Sequence, residues 1–260
     1  FEGGLVDFDS GLKLESRYFA NCVVSQVAKN MVGTFWFQLN KINAGNSRPS
    51  APPAIKTQKI GILGAGMMGA GIAYVSAKVG IACVLLDRSL DEAARGKQYS
   101  ENLLDKLIKK GKLTPEKKQK HLDLINITNN YQDLSECDLI IEAVFENRDI
   151  KKQVTENTEQ YLPATSVFAS NTSTLPITGL AQYSQRPENF VGLHFFSPVD
   201  KMPLVEIIKG KQTSDHTLAK AFDYVRQINK TPIVVNDSRG FFTSRVFGYY
   251  VNEGMALLQD

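Results

Sequence analysis

The sequence predicts an α/β fold, a doubly wound sheet covered by helices on both faces. Three observations point there. From Lys59 onward, short apolar runs alternate with longer amphipathic or charged stretches. The runs, such as "GILG", "CVLL" and "LIIEAV", are continuous rather than alternating, the pattern of strands buried on both faces. A glycine-rich turn directly follows the first of them. Sheets with crossover helices produce this combination.

Residues 12–43 precede that region and read as helix. Leu14, Tyr18, Phe19, Cys22, Val23, Val27 and Met31 recur at spacings of three and four and make one apolar face. Phe35, Trp36 and Phe37 add an aromatic cluster that needs something to pack on. Residues 43–58, "NAGNSRPSAPPAIKTQ", read as a linker, because Pro49, Pro52 and Pro53 stop helices and stiffen the chain.

The alternation then runs in order. "KIGILG" is a strand, 67–79 a helix, 81–87 a strand and 89–110 a long charged helix. "LINIT" and "DLIIEAVF" are strands, 148–160 a helix and "SVFASN" a strand. "NFVGLHF", "PLVEIIK" and "TPIVVN" complete the sheet, with a helix over 215–228 before the last of them. The final stretch, "RGFFTSRVFGYYVNEGMALLQD", is a new amphipathic helix rich in Phe and Tyr, and so much apolar surface implies more domain beyond it. The expected plan is a helical connector over 1–48, a Pro-rich linker over 49–58, the doubly wound domain over 59–238 and the truncated start of an all-α domain over 239–260. A start at Phe1 rather than Met reads as a fragment.

Bulk properties narrow the class. With 260 residues, 43% apolar and 22% charged, the chain has room for one large core and a smaller appendage. A net charge of +3 is too small for a nucleic-acid-binding face. The basic clusters "KLIKKGK" and "PEKKQKH" read as solvated helix faces, with attraction of a phosphorylated ligand as the alternative. Cys22, Cys83 and Cys137 are odd in number, far apart and without C-x-x-C spacing, so neither a disulfide framework nor a metal site is expected and a reducing compartment fits. The longest apolar runs are too short to span a bilayer.

The turn after the first strand is Gly64-Ala65-Gly66-Met67-Met68-Gly69, a G-x-G-x-x-G that opens a helix. Asp87 follows at the end of the next strand. Strand, glycines, helix and acid in this register are the dinucleotide fingerprint of a Rossmann-type domain. Gly64 allows the tight turn, Gly66 a close approach to pyrophosphate and Gly69 close helix–strand packing, while the helix N-terminus stabilises phosphate charge. Asp87 accepts from ribose hydroxyls and repels a 2′-phosphate, which favours NAD over NADP; Arg88 next to it works against that preference. A flavin site usually needs a second Rossmann-type element, which the sequence lacks.

His194, in "NFVGLHFFSP", and Glu206, in "PLVEII", each interrupt an apolar run. Either each is a satisfied polar group in a core, or the two meet and do chemistry. Oxidising a secondary alcohol removes a hydride from carbon and a proton from oxygen, and an imidazole oriented by a carboxylate suits the proton. His121 and His216 lie in charged helical surroundings and read as surface residues.

"GILGAGMMGAGIA", "DLIIEAVFEN", "FASNTSTLPIT", "GLHFFSPVDKMPLVEII" and "RGFFTSRV" together resemble the L-3-hydroxyacyl-CoA dehydrogenases of fatty-acid β-oxidation, over about residues 57–260. The resemblance implies an acyl-CoA thioester substrate and a catalytic dyad of His194 and Glu206. It makes Ser173 the hydroxyl that contacts substrate beside the nicotinamide; read locally, "NTSTLP" is also a helix start with a serine or threonine N-cap, and Asn171 is a supporting residue. It further places Glu146, Lys151, Val144, Phe145, Met67 and Met68 at the cofactor, although Lys151 by itself reads as a helix-surface charge. Ser197 and Ser244 stand where the family commonly has asparagines that contact cofactor or substrate; a serine still donates and accepts but is shorter. The leading segment resembles the connector of multifunctional β-oxidation proteins, in which an enoyl-CoA hydratase/isomerase domain comes first. The chain then corresponds to the central part of a fatty-oxidation complex α subunit, with a thiolase β subunit and a second copy as partners. A bacterial cytoplasm is the first location implied and a mitochondrial matrix the alternative. Two other readings stand beside this one: a dehydrogenase of free 3-hydroxyacids, which would more often use a lysine base, and a non-catalytic segment that binds NAD and CoA.

Overall fold

A computed structural model describes residues 2–50, 52–54 and 56–258. Phe1 of the expected connector, Ala51 and Ile55 of the expected linker and Gln259 and Asp260 of the expected last helix lie outside the described residues. The chain forms two compact units, residues 1–46 and 47–260.

In the first unit a short 3-10 turn, Glu2–Leu5, precedes α1 (Phe8–Val24), α2 (Gln26–Met31), a π-helical stretch (Val32–Gln38) and α3 (Leu39–Asn43). The helix expected over 12–43 is therefore interrupted. Ser25 is extended, at φ −66° and ψ 151°, and its hydroxyl accepts the Ala28 N–H at 3.1 Å, ending one helix and capping the next. A short hydroxyl near the backbone competes with the helical ladder in this way. The π-helical stretch carries Phe35, Trp36 and Phe37 and shifts the 3.6 periodicity that the apolar face follows.

The second unit holds the sheet. Its strands are β1 (Lys59–Leu63), β2 (Ala82–Leu86), β3 (Ile125–Thr128), β4 (Leu139–Glu142), β5 (Val167–Ser170), β6 (Phe190–Phe195), β7 (Leu204–Lys209) and β8 (Thr231–Asn236). The order is β3-β2-β1-β4-β5-β6-β7-β8. The first six strands are parallel, β6 and β7 are antiparallel, and β8 is parallel to β7. Helices α4 (Met67–Lys78), α5 (Leu90–Lys109), α6 (Pro115–Asp123), α7 (Arg148–Glu159), α8 (Ile177–Leu180) and α9 (Asp215–Gln227) flank the sheet, and α10 (Thr243–Ala256) follows it.

Side-chain alternation explains why the strands read as continuous apolar runs. Ile60 and Ile62 of β1 join one core with Ile72, Leu85, Leu193 and Phe222. Leu63, one residue on, joins the opposite core with Leu134, Phe168, Phe190 and Phe241. Each such side chain contributes roughly 1.5–3 kcal/mol when fully buried, and both faces are filled. Strand order reverses between β1 and β4, which opens a crevice at their carboxyl ends, the usual ligand position in this architecture.

His216 is exposed as expected, but His121 is half-buried, with Nδ1 3.3 Å from the Ala77 carbonyl at the end of α4. Part of the basic cluster is neutralised, since Lys118 of α6 bonds both Glu101 and Asp105 of α5. Among the described residues no helix is long and apolar enough to cross a membrane.

Candidate active site

The glycine loop lies at the crevice. Gly64 has φ +94°, and a Cβ there would stand 2.8 Å from the Ala143 carbonyl oxygen of the neighbouring strand end. At Gly69 a Cβ would lie 1.8 Å from the Gly64 carbonyl oxygen, so only glycine lets α4 pack on the loop. At Gly66 it would meet nothing within 4 Å, leaving bare backbone against open space. Gly66 is also the N-cap of α4, and no side chain caps that helix end. The uncapped amides and the helix dipole suit a pyrophosphate.

Asp87 follows β2. Its Oδ2 accepts the Ala65 N–H at 2.6 Å and its Oδ1 the Arg88 N–H at 2.8 Å. The Arg88 guanidinium is paired with Glu92 one helical turn on. A cleft of about 580 Å³ runs from here, lined by Gly64, Gly66, Met67, Met68, Asp87, Val144 and Phe145 among others. Ile150 and Val154 of α7 also line it, two residues that sequence reasoning missed. An adjoining cavity of about 320 Å³ reaches Tyr131 and Asn157. Bare glycine backbone, a free helix N-terminus, a carboxylate at the strand end and apolar walls fit an NAD.

A buried charge cluster lies at the end of β4. Lys151 is not a surface charge: it is 2% exposed, with Nζ 2.7 Å from Glu142 Oε1 and 3.2 Å from Glu146 Oε2. Glu142, 1% exposed, also accepts the Val144 N–H and the Ser170 hydroxyl. Glu146 Oε1 accepts the Thr172 hydroxyl at 2.5 Å and the Ser173 N–H at 3.0 Å. Burial alone would raise the Glu146 carboxyl, but the Thr172 hydrogen bond and the Lys151 charge outweigh it and hold the group below its usual range. Glu146 thus ties the loop after β4 to the turn after β5.

No helix starts in that turn: Thr172 Oγ1 accepts the Leu175 N–H at 3.0 Å, but the next helix, α8, begins at Ile177 with Pro176 as its N-cap and no side-chain cap. Ser173 is exposed, with its hydroxyl 3.4 Å from Glu146. Asn171 accepts the Phe195 N–H at 2.9 Å and so fastens the end of β5 to the strand residue beside His194.

His194 and Glu206 face each other in register across β6 and β7. His194 Nδ1 is 2.7 Å from Glu206 Oε2, with the histidine side chain 9% exposed and the glutamate side chain 0%. The Phe196 ring lies 4.5 Å from the imidazole, centroid to centroid. Glu206 also accepts the N–H groups of Phe242 and Thr243, at 3.1 and 2.8 Å, and the Thr243 hydroxyl at 2.8 Å. Burial would raise the Glu206 carboxyl, but the hydrogen bonds from His194 and Thr243 outweigh it and hold the group below the usual carboxylate range. An ionised Glu206 can only accept, so Nδ1 carries the hydrogen and donates to it, and Nε2 is the imidazole nitrogen left without it.

Ser197 and Ser244 are both exposed. The Ser197 hydroxyl is 3.5 Å from the Met67 sulfur, so it belongs to the cofactor helix's side of the site. Ser244 is in the first turn of α10, one residue past Thr243. The structure thus groups His194, Glu206 and Thr243 in one cluster and Glu146, Lys151 and Ser173 in another, at the same end of the sheet. Glu142 and Thr243 are further residues that sequence reasoning passed over. Glu142 carried a signal, a lone carboxylate inside "DLIIEAVF"; Thr243 carried none.

Residues 59–238 match the family described as 3-hydroxyacyl-CoA dehydrogenase, NAD binding domain. The chain belongs to the 3-hydroxyacyl-CoA dehydrogenase family, and NAD is the cofactor of the matched domain. It is 40% identical over 259 residues to a fatty acid oxidation complex subunit alpha of Acinetobacter baylyi, covering 99% of this chain and 36% of that one. The chain therefore spans about a third of the length of that curated relative. Among solved structures it resembles the (S)-3-hydroxybutyryl-CoA dehydrogenase of Ralstonia eutropha, with a TM-score of 0.76 and 40% identity over 78% of this chain and 72% of that one. A 3-hydroxybutyryl-CoA dehydrogenase of Escherichia coli matches with a TM-score of 0.76 and 30% identity, over 79% of this chain and 43% of that one.

Proposed function

We propose that the chain carries the site for NAD-dependent oxidation of (S)-3-hydroxyacyl-CoA to 3-oxoacyl-CoA. The observation that carries this reading is the 2.7 Å contact between His194 and Glu206 on the sheet edge that also bears the NAD cleft. When bound, NAD accepts the hydride. Glu206 holds Nδ1–H and fixes the tautomer, so Nε2 takes the proton of the 3-hydroxyl as the carbonyl forms. The imidazolium that results is stabilised by the buried carboxylate beside it. Ser173 positions the reacting oxygen, and Ser244, near the dyad, takes part in holding substrate. Gly64, Gly66, Met67, Met68, Gly69 and Asp87 hold the dinucleotide, with Val144, Phe145, Glu146, Lys151 and Ser197 around its other half.

The Acinetobacter relative supports a wider reading. Residues 1–48 act as a connector after a hydratase/isomerase domain, 49–58 as a linker, 59–238 as the dehydrogenase domain and 239–260 as the start of a helical domain. The intact protein is then an α subunit that pairs with a thiolase β subunit and with itself in a bacterial cytoplasm.

The test is NADH formation by the intact protein with (S)-3-hydroxyacyl-CoA and, separately, with the free (S)-3-hydroxyacid. Turnover of the thioester alone is expected. Turnover of the free acid alone overturns the acyl-CoA assignment, and no turnover of either overturns the catalytic one.

A further inference from the structure

Glu206 is held from a direction that the dyad does not require. One of its hydrogen-bond donors is His194, and three come from the start of α10. The backbone geometry there is unusual. Gly240 and Phe241 are consecutively left-handed, at φ +75° and +48°. A bulky, buried phenylalanine at positive φ is strained and persists only where its surroundings hold it. Its ring centroid lies 6.0 Å from that of His194. The left-handed pair turns the chain so that successive amides, those of Phe242 and Thr243, point to one carboxylate oxygen. Successive amides in such a turn make a concave anion-binding nest. Phe242, the N-cap of α10, has no side-chain acceptor to offer, and Glu206 occupies that place from 36 residues away.

We propose that the Gly240–Phe241 turn is a positioning device for the dyad, aiming the Phe242 and Thr243 amides at Glu206 Oε1 so that Oε2 is left to His194 and the Thr243 hydroxyl. This rests on the dyad reading above. The terminal torsion of a glutamate is broad and roughly two-fold, so a single contact to an imidazole does not fix the carboxylate plane. Donors on both oxygens do. The first helix after the sheet then sets the orientation of the base, and any displacement of α10 reaches the reacting proton through Glu206.

The test uses the intact protein with Gly240→Ala, Thr243→Val, Thr243→Ser and, as reference, His194→Gln. A Cβ at Gly240 has room, its nearest neighbour being Arg245 Cγ at 3.5 Å, so Gly240→Ala acts through backbone conformation. The expected results are a fall of about ten-fold or more in kcat for Gly240→Ala and about three-fold for Thr243→Val, converting the loss of one to two modest hydrogen bonds. Thr243→Ser stays within two-fold of wild type, KM for NAD is unchanged throughout, and the low-field proton resonance of His194 Nδ1 moves in the two impaired variants. Gly240→Ala and Thr243→Val both within two-fold of wild type, with that resonance unmoved and His194→Gln inactive, would overturn the proposal. An active His194→Gln would instead overturn the dyad reading. Should Gly240→Ala lose NAD binding altogether, Thr243→Val decides by the same two readouts.

Discussion

Lys151 and Glu142 meet at 2.7 Å with both side chains almost wholly excluded from water. The lysine sits on α7 and the glutamate ends β4, so the pair fixes that helix to the strand end from which the loop carrying Val144 and Phe145 departs. Two carboxylates, Glu142 and Glu146, share the one ammonium. Lys151→Met would leave Glu142 charged, buried and unpaired. A loss of about 3–5 kcal/mol in unfolding free energy is expected, read by urea denaturation. A loss below about 1 kcal/mol would mean the carboxylates are satisfied by their other donors, Ser170 and Thr172.

Asp87 lines the cleft and is the residue proposed to hold the cofactor's ribose. Its Oδ2 already accepts the Ala65 amide, so removing it loosens the glycine loop as well as the ribose contacts. Asp87→Ala is expected to weaken NAD binding by roughly 10–100-fold, the loss of one or two charge-assisted hydrogen bonds. The ratio of NADP to NAD affinity should rise, because the repelling carboxylate is gone. Titration calorimetry with each dinucleotide checks both statements.

The Glu206 carboxyl titrates below the ordinary range because His194 and Thr243 bond its charged form against the opposing effect of burial. The sign follows. A depressed carboxyl contributes stability above its unfolded pKa, about 4.3, and that contribution is lost as pH falls through the lower folded value. The stability gap between wild type and Glu206→Gln is therefore expected to be widest near neutrality and to shrink below about pH 4. Chemical denaturation at pH 7 and at pH 3.5 measures it; a gap that widens in acid would contradict the assignment.

The three cysteines differ in reactivity. Burial pushes the Cys137 thiol up to about 12 and the Cys83 thiol higher still, whereas Cys22 is exposed. Thiolate is the reactive form. Alkylation of the native protein at pH 8 is expected to label Cys22 alone, and all three cysteines after denaturation, as counted by mass spectrometry. Fast native labelling of Cys83 would mean that the core around β2 opens readily.

Much of this architecture is legible in the sequence because its signals are local. A strand buried on both faces must be apolar along its interior, and "IGIL" of β1 and "LII" of β4 are. The glycine fingerprint is legible because steric contacts at Gly64 and Gly69 admit no Cβ. What stays hidden is set by distant contacts. The capping of α2 by Ser25 breaks a helix whose apolar periodicity runs on across it to Met31, and the π-helical stretch follows directly after that residue. Lys151 reads as a surface charge until β4 brings Glu142 to it. Thr243 has no pattern of its own, since its partner lies 37 residues earlier, on β7. The antiparallel pairing of β6 and β7 is likewise invisible in composition, yet it puts His194 opposite Glu206.

The most direct measurement is NADH formation from (S)-3-hydroxyacyl-CoA by the intact protein and by its His194→Gln variant, with NAD affinity measured on both. Loss of about 10³-fold or more in kcat, within the usual span for a general base together with its orienting partner, is the expected result, with NAD affinity unchanged. A variant that keeps wild-type turnover would contradict the account, because the imidazole held by Glu206 would then have no part in moving the proton.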